Sequence, residues 1–164
     1  MPCCCTSTSK ISSLHSSRRL TDRITRHKVS HLLDLGHNPL ATTAAGVNML
    51  HVAGYGDDRV STLRAVLDHD KVPSDLLLNQ RESKMDFTPL MIAGIFGSHE
   101  CLVELLKRGA SPDLRSSSGT TVLHGASYSR VGRARTVEYL LNNSSLSVND
   151  ATRWDRYGYK YAGM

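Results

Sequence analysis

Three apolar stretches of the chain share one spacing. They read "GVNMLHVA" (46–53), "DFTPLMIA" (86–93) and "GTTVLHGA" (119–126). In each, a leucine stands three residues before an alanine: Leu50 and Ala53, Leu90 and Ala93, Leu123 and Ala126. Residues three apart lie on one face of a helix. Each stretch therefore predicts a short helix whose small alanine lets a neighbouring helix come close. Thr88 and Thr121 suit the N-cap, where a hydroxyl accepts from an orphan backbone N–H. Pro89 suits the first helical position, where its missing N–H costs nothing. A second apolar pattern follows in "SHECLVELLKR", with Cys101, Leu102, Leu105 and Leu106 at helical core spacing. Gly109 stops that helix, and "SPDLRSSSG" is turn-rich.

The helix pair recurs. Leu90 and Leu123 are 33 residues apart, whereas Leu50 and Leu90 are 40 apart, so the first unit carries seven extra residues. A second block repeats as well. "LLKRGASPDLRSSSG" (105–119) and "LLDLGHNPLATTAAG" (32–46) align Gly109 with Gly36, Pro112 with Pro39, and Gly119 with Gly46. A fixed period of this length marks a repeat architecture.

The segment "TPLMIAGIFGSHECLVELLKRGASPD" resembles an ankyrin repeat in its TPLH-like opening and its LLxxGA ending. The likeness covers residues 86–118 most specifically and 119–150 well. It is weaker over 46–80, where Asn48 and Met49 stand for Thr-Pro, and partial over 24–45; Met91 replaces the histidine at 86–118. The resemblance implies an all-α solenoid of stacked helix-turn-helix units joined by β-turn fingers. It also implies a framework role for His51 and His124, which fall on the TPLH histidine that ties adjacent turns together. The expected organisation is an arm over 1–19 and repeats over 20–164. The latter divide into a partial N-terminal cap (24–45), repeats at 46–85, 86–118 and 119–150, and a truncated repeat or tail at 151–164. Helix-pair repeats need several copies to bury their faces, so the alternative of a fragment from a longer array stays open.

Charge is uneven. The net charge is +5, and residues 1–31 hold six Lys or Arg against one acid, Asp22. The remaining chain is balanced, so the repeat body exerts no net pull on nucleic acid. The arm is Ser/Thr-rich and reads as disordered and solvated. Weak membrane or nucleic-acid contact by it, phosphorylation at "RRLT" around Thr21, acylation at Cys3 to Cys5 and a transit function each rest on composition or a short motif. Cys101 reads as a buried thiol. No apolar run reaches the roughly 18 residues that span a bilayer, and the expected setting is intracellular, cytoplasmic or nuclear.

Catalytic chemistry finds no footing. "GYGDDR" lacks the third glycine of a dinucleotide loop, "HECLV" lacks the second histidine of a zinc helix, and "GASYS" lacks the final glycine of a nucleophile elbow. No enzyme activity, cofactor or metal is expected. The resemblance instead implies a protein-interaction module or scaffold that binds another protein on a concave face. The contact candidates are Arg81, Glu82, Lys84 and Met85 in one finger and Arg115, Ser116 and Ser117 in the next. Tyr55, Ile95, Phe96 and Tyr128 are the candidates from first helices, with Ile95 and Phe96 equally placed to pack on the next repeat. A narrower likeness, to inhibitor-of-kappa-B proteins that sequester transcription factors, rests on the insertion and the Leu-Asn turn within "SDLLLNQRESKMDFTPL".

Overall fold

The computed structural model describes residues 27–130 and 133–147. The arm at 1–19, the kinase motif at Thr21, the three N-terminal cysteines and the tail at 151–164 lie outside the described residues. Helix α1 covers 27–34. It is followed by α2 (Met49–Ala53), a 3-10 turn (Asp57–Arg59), α3 (Val60–Leu67), α4 (Ser74–Leu78), α5 (Pro89–Phe96), α6 (His99–Lys107), α7 (Val122–Tyr128) and α8 (Arg133–Asn143). The described residues contain no strand.

The helices stack in two layers. First helices α2, α5 and α7 touch in succession, and second helices α3 and α6 touch each other. Within each repeat the first helix packs on the second, as α2 on α3, α5 on α6 and α7 on α8. His99 joins α8 to α6: its Nδ1 lies 3.2 Å from Thr136 Oγ1, and its ring meets Tyr139 edge-on at 5.8 Å. The result is an all-α solenoid.

The repeated leucines drive this stacking. Leu50, Leu90 and Leu123 are buried with Leu63, Leu102, Leu105 and Leu140 in one continuous core. Burying each such side chain contributes roughly 1.5–3 kcal/mol. First helices also approach closely at a shared position, four residues past the motif leucine. A Cβ on Gly54 would lie 3.1 Å from Pro89 O, and one on Gly94 would lie 3.0 Å from Val122 O. The equivalent place in the third repeat is Ser127, whose hydroxyl donates to Leu123 O at 2.8 Å.

The caps form as the residue types dictate. Thr88 Oγ1 accepts from Met91 N–H at 3.3 Å, and Pro89 opens α5. Asn48 Oδ1 accepts from Leu50 and His51 N–H, both at 3.0 Å. Asn48 also explains the departure from Thr-Pro. Its Nδ2 donates to Leu77 O (3.2 Å) and to Gln80 Oε1 (2.9 Å), two bonds that need two donor hydrogens where a threonine hydroxyl has one.

The extra residues of the first unit are not a plain loop. They form α4, with Leu77 and Leu78 fully buried and Leu76 exposed. The repeat spacing locates the insertion but not its helix, because five residues are too few to show a helical period. Asn79 at its end accepts from Ser111 N–H at 2.9 Å, tying the insertion to the following repeat.

Candidate functional site

Between the helix pairs the chain turns back on itself in fingers. In the second finger Glu82 N–H donates to Phe87 O at 3.0 Å, and in the third Ser116 N–H donates to Thr120 O at 2.9 Å. Adjacent fingers are joined by one backbone hydrogen bond at each boundary. Ser83 N–H donates to Ala45 O (2.8 Å), and Ser117 N–H donates to Met85 O (3.1 Å). Each finger turns at one equivalent residue with positive φ: Gly46 at 72°, Asp86 at 57° and Gly119 at 82°. A left-handed backbone suits glycine and is tolerated by aspartate at some cost.

His51 fixes a first helix to the next finger. Its Nδ1 accepts from Asn48 N–H at 3.2 Å, and its Nε2 donates to Phe87 O at 3.1 Å. Burial lowers its pKa below the ordinary histidine value, although the Phe87 carbonyl and Glu82 favour the charged ring. His124 reaches back to Thr121, with Nδ1 at 2.8 Å from Oγ1 and accepting from the N–H at 3.3 Å. Among described residues its partners lie within its own repeat. Met91, at the same position in α5, is buried instead.

The contact candidates separate into two groups. Arg81, Lys84, Met85, Arg115 and Ser117 are exposed on the fingers. Glu82 and Ser116 are not. Glu82 is buried and closes its own finger, with Oε2 accepting from Lys84 N–H (2.8 Å) and Oε1 from Met85 N–H (2.6 Å). Burial works to raise its pKa, but the N–H bonds of Lys84, Met85 and Phe87 and the nearby His51 outweigh it and hold the carboxyl below its usual range. Ser116 is buried, and its Oγ accepts from Thr120 N–H at 3.0 Å. Counting both as surface residues is therefore corrected: a polar side chain on a tight turn can satisfy that turn's own N–H groups.

Tyr55, Ile95 and Tyr128 occupy one repeat position, but Tyr55 falls in the turn after α2 and not on the helix, because α2 ends at Ala53 with Gly54 as its C-cap. Tyr128 is 74% exposed, the most of any large apolar side chain described, and Tyr55 and Phe96 are 43% and 48% exposed. Tyr55 and Phe96 meet edge-on at 4.6 Å across the repeat boundary. Ile95 is only half-buried and packs toward α7, where a Cβ on Gly125 would lie 2.8 Å from its Cγ1. Second helices cover the other side of these first helices, so Tyr55, Phe96 and Tyr128 emerge on the face left open.

The outer layer carries an ion-pair network that was not legible beforehand. Glu104 accepts from Arg64 Nε at 2.9 Å and from Arg108 Nε at 3.1 Å, and Arg108 also pairs with Asp68. Burial opposes ionisation of Glu104, but the two arginines hold its pKa below the usual range. The Glu104–Arg108 pair could be read from its i,i+4 spacing; the partners forty residues away could not. Nearby, the Cys101 thiol is buried between α6 and the α2 end, 3.5 Å from Ala53 O, and burial pushes its pKa up to about 12. Among the described residues no group of three His, Cys, Asp or Glu side chains is placed to hold a metal, and no helix is long and apolar enough to cross a membrane.

Comparison with known proteins places these units in a family. Residues 74–151 match the family model for ankyrin repeats, in three copies.

Proposed function

We propose that this chain, an ankyrin-repeat protein, works as a scaffold that holds a partner protein against the fingers and the open face of its first helices. Ankyrin repeats are in general protein-interaction modules. The observation that carries the reading for this chain is the exposed row of Tyr55, Phe96 and Tyr128. Aromatic side chains carry a large share of the binding energy where a partner covers them. No comparable gain to the fold accounts for Tyr128.

A narrower function, sequestering a transcription factor, is supported only by the insertion at 74–80. That segment buries Leu77 and Leu78 against its own stack, so the broader reading is preferred.

The test compares the full chain with a Tyr55→Ser, Phe96→Asn, Tyr128→Ser variant, each immobilised and exposed to cell extract. The variant should melt within a few degrees of the parent, because only the Tyr55–Phe96 contact is lost, worth about 1 kcal/mol. Proteins retained by the parent and absent from the variant support the reading. Identical retention by both would refute it.

A further inference from the structure

The amino-terminal end of the stack leaves a leucine face uncovered. Leu32 of α1 stands at the repeat position of Val66, Leu105 and Leu140. Those three are buried in the core, whereas Leu32 is 48% exposed. Val29, one turn earlier, is half-buried where its counterparts Leu63 and Leu102 are fully buried. Leu35, one turn later, is exposed as well. The difference lies in what each second helix packs on. In the fuller units α3, α6 and α8 rest on the first helices α2, α5 and α7. Among the described residues α1 has no such helix before it.

The other three units show what sequence covers this position. Each carries an N-cap residue two places before its motif leucine (Asn48, Thr88, Thr121) and a small residue three places after it (Ala53, Ala93, Ala126). Two of them carry histidine directly after the leucine, as His51 and His124. Residues 12–17 read "SSLHSS". Ser12 falls on the N-cap position, Leu14 on the leucine, His15 on the histidine and Ser17 on the small residue. The distance fits too. Leu50, Leu90 and Leu123 stand 16, 15 and 17 residues before Val66, Leu105 and Leu140, and Leu14 stands 18 before Leu32.

We infer that residues 12–17 of this chain dock on the leucine face of α1 and supply the first-helix cover that this unit otherwise lacks. Composition reads the whole arm as solvated, but the motif singles out these six residues within it. Leu14 covers Leu32 and Val29, as the motif leucines of the other units cover theirs. The segment is favoured over a second copy or a foreign helix because it is tethered. Its short link to α1 gives an effective concentration on the order of mM, far above that of a separate chain. One departure sets how it sits. Arg18 replaces the glycine of close approach, Gly54 or Gly94, where a Cβ would lie 3.1 or 3.0 Å from a carbonyl oxygen of the next first helix. The segment therefore stands a few tenths of an ångström farther from α2 and rests mainly on α1. Docking also brings Arg19 to the repeat position of Tyr55, Ile95 and Tyr128, so the open face gains a cation at its amino-terminal end.

The test uses the full chain with Leu14→Ala and Leu32→Ala, singly and together, followed by thermal melting. Each single substitution should lower Tm by about 2–4 °C, and the double by clearly less than the sum, because both remove one contact. Leu14→Asp should lower Tm by about 4 °C or more. Hydrogen exchange read by mass spectrometry follows the segment itself. Amides of residues 12–17 should exchange about tenfold or more slowly in the parent than in Leu32→Asp. An unchanged Tm in Leu14→Ala and Leu14→Asp, with residues 12–17 exchanging as an unstructured peptide does, would overturn the inference. So would a loss of Tm in Leu32→Ala with Leu14→Ala neutral, which would assign the face to another segment. A dimer in sedimentation that Leu32→Asp dissociates and Leu14→Asp leaves intact would overturn it in favour of a second copy.

Discussion

His51 offers a direct test of how the stack is held. Replacing it with alanine removes the acceptor of Asn48 N–H and the donor to Phe87 O, both inside the fold. Asn48 N–H left unpaired costs about 1 kcal/mol, Phe87 O keeps its bond from Glu82 N–H but loses a second one of about 1 kcal/mol, and the lost imidazole packing adds a similar amount. His51→Ala should therefore cost about 3 kcal/mol. That is a large part of the stability of a small domain. Equilibrium urea unfolding followed by circular dichroism reads the loss as a lower midpoint at similar slope. The same residue carries a pH signature. Its folded pKa lies below the ordinary value of 6.5. Just below that value the unfolded chain takes up a proton that the folded chain resists. Stability is then complete above about pH 6.5 and falls as pH drops through the folded pKa. His99, lowered by burial and by Arg135, acts in the same sense. The parent should lose stability between neutral and mildly acid pH, and His51→Ala should lose less over that range. A cost below 1 kcal/mol for His51→Ala, or an unchanged pH slope, would refute the bridging role.

Three further outcomes are expected. Asp86→Gly relieves a positive φ that the equivalent positions meet with glycine, so it should stabilise the fold by about 0.5–1 kcal/mol in urea unfolding; no gain would mean the aspartate side chain compensates for the strain. Glu104→Ala leaves Arg64 and Arg108 facing each other at the outer layer. Both guanidiniums reach solvent, so the cost should be about 1–2 kcal/mol by thermal melting, and a neutral result would show that water replaces the carboxylate. Cys101 should resist iodoacetamide at pH 8 in the folded chain and react once urea is added, read by mass spectrometry of its peptide; equal labelling in both states would contradict its burial and its raised pKa.

Much of the framework was legible in the residues themselves. Leucine and alanine three apart, threonine before proline, and glycine after the second helix are local rules, and they placed α5, α6 and α7 and the Thr88 cap of α5, whereas the Thr121 hydroxyl pairs with His124 Nδ1. The exposure of Tyr55, Phe96 and Tyr128 was legible too, since the repeat register separates the inward leucine from the positions beyond it. Glu82 and Ser116 were not, because only the closed finger shows that its own N–H groups take up their oxygens. The insertion was counted correctly, yet its helix depends on Asn48 and on burial of Leu77 and Leu78 against distant residues.

Period, capping and register act within a few residues of the chain, so the amino-acid sequence alone determined the repeating unit and its helices. Which charges meet is decided by how units stack. Arg64 finds Glu104, Arg81 finds the Arg115 carbonyl, and His51 finds Phe87 only once neighbouring repeats are packed face to face. Those contacts join residues 34 to 40 positions apart, a separation at which no local pattern reports distance.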